Sequence, residues 1–176
     1  MTIHLDVSDR VATVTIDRPH RRGALDLESL EALHRSVEAA VAGGARALVV
    51  TGSQGHFCAG ADLTELEDVS FTTRLAQVLA HLAAVPVTTV AAIEGSCMGL
   101  GMQLALACDV RVVAATARFA VPVARLGLMV DHWTLERLSR FWGEGAARHM
   151  VLTGTVLDAD DAWRPGFAQQ RGTLAD

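Results

Sequence analysis

Two buried-strand runs in this chain each pass through a glycine-rich turn toward a helix, and no other feature restricts the fold as much. The first run is Ala47-Leu48-Val49-Val50, followed by a loop from Thr51 to Gly60. The second runs from Val87 to Ile93 behind Pro86, and Gly95 to Gly101 leads from it into a helix over 102–107. Strand, turn and helix in alternation is the unit of an α/β domain. Glycine-rich turns expose backbone N–H groups, and a helix start adds positive potential. Any site is therefore expected at these turns.

The flanking sequence continues the alternation. Residues 2–7 and 11–16 read as two strands around Ser8-Asp9-Arg10. Leu30, Leu33, Val37 and Val41 recur at helical spacing over 27–42, and Gly43-Gly44 ends that helix. Helices are predicted over 70–84, 132–141 and 144–152, with a further strand at Val110 to Val113. There is no linker, low-complexity tract or clear internal repeat, so residues 1–176 read as one α/β domain. The last residues, Arg171-Gly-Thr-Leu-Ala-Asp176, look like a turn opening a helix that does not follow. They suit either a truncated chain or an ordinary frayed end.

Composition removes several chemistries. Lys, Tyr and Asn are absent, and all 15 basic residues are Arg. Without Lys there is no Walker-A phosphate loop, no Schiff base and no kinase-type ATP lysine. Arg replaces none of these, because it neither sheds its proton nor attacks as an amine. A net charge of −5 argues against broad nucleic-acid binding. Cys58, Cys97 and Cys108 form no CxxC pair, and an odd count fits a reducing compartment. The N-terminus carries no secretory pattern, and residues 82–93 are too short to span a bilayer. A soluble cytoplasmic protein is expected.

Three readings compete for the turns. A dinucleotide fingerprint could start at Gly99-Leu100-Gly101, but its third glycine is Leu104 and Asp109 comes too early for the ribose acid. A nucleophile elbow fails on spacing in Gly95-Ser96-Cys97-Met98-Gly99, which leaves Ser96 as a turn residue. An oxyanion hole needs only one backbone N–H from each turn. Cys58, Cys97 and Cys108 read as small packed residues, and His56 as an exposed loop residue with no metal-ligand partner beyond Cys58.

Four segments in order then resemble the crotonase, or enoyl-CoA hydratase/isomerase, superfamily. They are Asp17-Arg-Pro-His-Arg-Arg-Gly-Ala-Leu25, Phe57-Cys-Ala-Gly-Ala-Asp-Leu63, Ile93-Glu-Gly-Ser-Cys-Met-Gly-Leu-Gly-Met-Gln-Leu104 with Cys108-Asp109, and Phe119 to Leu128. Gly23 stands where the family usually has Asn. The resemblance implies a spiral of ββα units, with C-terminal helices that would lie beyond this sequence. It implies an acyl-CoA ligand, no cofactor besides that CoA ester, and assembly as a homotrimer or hexamer. By position, the N–H groups of Ala61 and Leu100 would hold the thioester oxygen. Ala24, Ala59, Ala61, Asp62 and Leu63 would face CoA, and Arg21 or Arg22 its phosphates. Solvated surface Arg and a helix-capping Asp62 are the competing roles.

The family's hydratases use two glutamates, and here those positions hold Gln103 and Val123. Gln exchanges no proton near neutrality, and Val has no polar group. The remaining acid is Asp131, in Gly127-Leu-Met-Val-Asp-His-Trp-Thr-Leu135. It either caps the helix beginning near His132, hydrogen-bonds a ligand, or serves catalysis as the resemblance implies, shuttling a proton as in crotonase-like dienoyl-CoA isomerases or attacking carbon as in aroyl-CoA dehalogenases. Gln103, Val123, Leu128, His132 and Trp133 are candidates for the acyl pocket, with Met98, Met102 and Met129 as further apolar wall or simply core. Several functions therefore stand: an acyl-CoA-binding family member of lipid metabolism without standard hydratase activity, an enoyl- or dienoyl-CoA isomerase-type enzyme using Asp131, a non-catalytic acyl-CoA carrier or sensor, or a purely structural paralogue. None calls for nucleic acid or a membrane span.

Overall fold

A computed structural model describes residues 2–62 and 69–175 of the chain. Strands β1 (Ile3–Ser8) and β2 (Val11–Ile16) pair antiparallel across a two-residue turn. Asp9 and Arg10 take positive φ there, which matches the twist of the flanking strands. Helix α1 (Leu27–Ala42) starts where Asp26 accepts the Ser29 N–H at 2.8 Å and ends at Gly43. Its apolar positions Leu30, Leu33 and Val37 are buried, as their spacing requires.

Strand β3 (Ala47–Gly52) runs parallel to β2 and to β4 (Thr88–Ile93). Helix α2 (Val69–Leu82) precedes β4 and buries Phe71, Val78, Leu79 and Leu82. A short strand β5 (Ser96–Met98) and helix α3 (Leu100–Ala107) follow, and all eight residues of α3 are buried. Then come β6 (Val110–Val113), β7 (Arg118–Ala120), α4 (His132–Trp142) and α5 (Glu144–Thr153). Short elements close the described chain: β8 (Leu157–Asp158), α6 (Ala159–Trp163) and β9 (Gln170–Arg171). One sheet has the order β1-β2-β3-β4-β6-β9, and a smaller one the order β5-β7-β8.

Two departures from the sequence expectation concern the second glycine turn. Residues 96–98 form a strand, and α3 starts at Leu100 rather than Met102. The cause is tertiary, because β5 exists through its parallel pairing with β7 and a bridge to Cys58. The elements β8, α6 and β9 have no counterpart in that expectation either. Among the described residues, no helix is long and apolar enough to cross a membrane.

Arg111 on β6 is the least expected core member, with 1% of its surface exposed. Its guanidinium donates to the carbonyls of Phe167 (2.6 Å), Cys108 (2.8 Å), Ala105 (3.3 Å) and Asp109 (3.2 Å). It also stacks over Phe141 and Phe167. The charge thus ties the carbonyl end of α3 to the segment before β9.

Candidate active site

The parallel register of β3 and β4 sends both glycine turns off the same sheet edge, at the strand C-termini where α/β sheets place ligands. The turns then bond to each other. Phe57 N–H donates to the Glu94 carbonyl at 2.8 Å, Cys58 N–H to Ser96 at 2.8 Å, and Met98 N–H to Cys58 at 2.9 Å.

Helix α3 lies directly on this ladder. A Cβ at Gly101 would stand 2.2 Å from the Cys58 carbonyl oxygen, so only glycine permits the approach. Gly101→Ala is expected to lower stability by about 2 kcal/mol through overpacking and to weaken ligand binding. A denaturant midpoint equal to that of the wild type would contradict this. Gly23 is constrained from the other side. Its φ is +75°, and a Cβ would meet the Phe57 carbonyl oxygen at 2.9 Å.

The same geometry frees two donors. Leu25 N–H donates to the Gly60 carbonyl at 2.9 Å, and Asp62 N–H to the Leu25 carbonyl at 2.7 Å. These bonds flank Ala61 and leave its own N–H pointing off the ladder. Leu100 is the first residue of α3, where no intrahelical partner exists for the N–H. Among the described residues, neither N–H donates to a protein acceptor.

Both groups line one cavity of about 370 Å³. Its wall includes Ala59, Ala61, Met98, Leu100, Gln103, Val123, Leu128, Met129 and Asp131, with Phe71 and Leu75 from α2. Val123, Leu128, Met129 and Val130 also line a second, mostly apolar cavity of about 540 Å³ against α4 and α5.

Gln103 is largely buried, and its Nε2 donates to the Thr134 hydroxyl at 2.8 Å. That bond ties α3 to α4. Asp131 sits at the exposed rim and caps α4, accepting the Thr134 N–H at 2.7 Å. Asp131 and Gln103 therefore meet on opposite ends of Thr134.

Other sequence candidates lie elsewhere. Arg21 and Arg22 are exposed on the 18–25 segment and do not line the cavity. Ala24 and Asp62 are likewise outside its wall, and Leu63 lies outside the described residues. His132 is exposed, and Trp133 packs under the Arg137 guanidinium at 4.7 Å. Neither is among the residues lining the cavity. Met102 is core.

Sequence reasoning passed over Arg18, whose guanidinium holds Asp26 at 2.6 Å and lies 3.9 Å from Asp62. It also donates to the Ala24 carbonyl, so it shapes the whole 18–26 loop. No local pattern marks it among the three Arg of that segment. The three thiols are buried, which pushes Cys58 and Cys108 up to about 12 and Cys97 well above the ordinary thiol range. None supplies a thiolate near neutrality. Among the described residues, no group of three or more His, Cys, Asp or Glu could hold a metal ion.

Strand–helix units wound so that two glycine turns share one cavity constitute the crotonase architecture. Residues 6–171 match the enoyl-CoA hydratase/isomerase family, and the chain belongs to it. It is 41% identical over 175 residues to the probable enoyl-CoA hydratase echA6 of Mycobacterium tuberculosis, covering 99% of this chain and 72% of that protein. It superposes on PA4980 of Pseudomonas aeruginosa with a TM-score of 0.89 at 34% identity, covering 98% of this chain and 77% of the other. An enoyl-CoA hydratase/carnithine racemase from Magnetospirillum magneticum gives 0.90 at 27% identity, covering 99% and 69%.

Proposed function

We propose that this protein binds acyl-CoA thioesters without standard hydratase activity. The observation that carries the reading is the pair of N–H groups of Ala61 and Leu100, unengaged among the described residues, at one cavity. Two such donors suit one thioester carbonyl oxygen, and their stabilisation grows as that oxygen gains charge. The acyl portion lies against the apolar residues Met98, Val123, Leu128 and Met129. The CoA portion passes Ala59 and the Arg18-braced loop with Ala24, Asp62 and Leu63, and exposed Arg21 and Arg22 meet its phosphates. The same reading extends to a homotrimeric or hexameric assembly, a cytoplasmic setting and a place in fatty-acid metabolism. No cofactor besides the CoA ester enters it.

Hydration of an enoyl thioester requires groups that position water and move its protons. Gln103 cannot move a proton, and its amide is engaged by Thr134. Val123 offers nothing polar. Asp131 favours a second reading, an isomerase that shuttles a proton, because this acid is among the residues lining the same cavity.

Asp131→Asn separates the two, since Asn caps a helix as well as Asp. Calorimetry with a panel of acyl-CoAs is expected to give equal affinity for wild type and variant, with no isomerisation to lose. A measurable double-bond shift in wild type that Asn abolishes would establish the isomerase instead. Failure of every acyl-CoA to bind would overturn both.

A further inference from the structure

We propose that neutral His56 is a positioning residue that latches the two glycine turns together and so sets the spacing of the Ala61 and Leu100 N–H groups. The role assigned to those donors rests on the acyl-CoA reading above; the latch itself rests on geometry alone.

The turns meet as a short parallel ladder, in which Met98 N–H donates to the Cys58 carbonyl. Two residues earlier, a regular parallel ladder would send the Ser96 N–H to the carbonyl of residue 56. That carbonyl is turned away, toward Gly52, where an added Cβ would stand only 1.8 Å from it. The Ser96 N–H donates to His56 Nδ1 instead, at 3.3 Å, and the Ser96 hydroxyl lies 3.2 Å from the same nitrogen. An imidazole thus replaces the missing backbone acceptor. The fit is close: a Cβ at Gly95 would come within 2.8 Å of Nδ1.

Nδ1 accepts only while it carries no proton, so the latch needs the neutral ring with its proton on Nε2. A ring with its proton on Nδ1 presents N–H to N–H, so the Ser96 N–H loses its acceptor, while the Ser96 hydroxyl turns to accept from the ring instead of donating to it.

The charged residues on the elements packed here are Glu94 at the start of the second turn, Arg118 at the head of β7, and Asp17 beside Ser53. Arg118 N–H donates to the Gly95 carbonyl, and His56 N–H to the Ser53 carbonyl. Among the described residues, the histidine ion pairs are His4–Asp17 and His34–Glu38.

The test follows amide hydrogen exchange at Ser96, corrected for intrinsic rate, and octanoyl-CoA affinity in wild type, His56→Asn and His56→Ala under one set of conditions. Asn places an oxygen acceptor near the Nδ1 position. In His56→Ala, exchange at Ser96 is expected to accelerate and affinity to fall, each about tenfold. His56→Asn is expected to keep both close to the wild-type values. Wild-type exchange at Ser96 in His56→Ala, or a loss in His56→Asn as large as that in His56→Ala, overturns the latch. Exchange needs no ligand, so absence of octanoyl-CoA binding sinks the functional reading and leaves the latch to be decided by exchange.

Discussion

Hydration of a short enoyl-CoA is expected to run at least about a thousandfold below the roughly 10 per second of a typical enzyme. The positions where family resemblance calls for two carboxylates hold Gln103 and Val123, and both line the cavity. Each missing acid–base group removes about a hundredfold or more. The two N–H donors by themselves stabilise an enolate but deliver no water. Loss of the conjugated thioester absorbance measures the rate, and a wild-type turnover near 10 per second would overturn the expectation. A Gln103→Glu/Val123→Glu double variant is expected to gain at least about a hundredfold over wild type. A glutamate at 103 accepts from the Thr134 hydroxyl where Gln103 donates to it, so the α3–α4 tie survives the change. Neither single variant is expected to gain comparably, because hydration needs both groups.

Arg111→Ala is expected to cost about 3 kcal/mol or more of stability, from hydrogen bonds to a charged group worth about 1.5–3 kcal/mol each and from the void left behind. Burial lowers the pKa of this guanidinium below its ordinary value, yet Arg stays charged at any working pH. Its charge meets carbonyl oxygens rather than a carboxylate. Asp109, the nearest acid in sequence, is engaged instead by the Thr89 N–H at 2.8 Å and hydroxyl at 2.9 Å. Removing Arg111 leaves the carbonyls of Phe167 and Cys108 buried without that donor, and opens a void beside Phe141 and Phe167. A shift in urea midpoint worth under about 1 kcal/mol would show that water or repacking replaces the network. The consequence reaches the site, because Arg111 holds the C-terminal end of the helix whose first N–H belongs to Leu100.

Local rules account for much of the fold. Asp26, the apolar spacing of α1 and Gly43-Gly44 bound that helix within the sequence itself. The runs before the glycine turns became β3 and β4 because continuous apolar residues suit a strand covered on both faces. The short strands β5, β8 and β9 escape such reading, since two or three residues carry no periodicity and their bonds come from distant chain.

In the site the division is sharper. The glycines, the order of the four segments, and the presence of Gln103 and Val123 where acids would act are properties of the sequence alone. Gln103 bonding Thr134 across 31 positions, and His56 replacing a carbonyl for Ser96 across 40, were decided by tertiary structure. So was the exclusion of His132 and Trp133 from the cavity wall. Sequence spacing governs groups on one helix or strand. Which side chain completes another segment's hydrogen bonds depends on where the parallel sheet delivers its loops, and that is set only when the whole core packs.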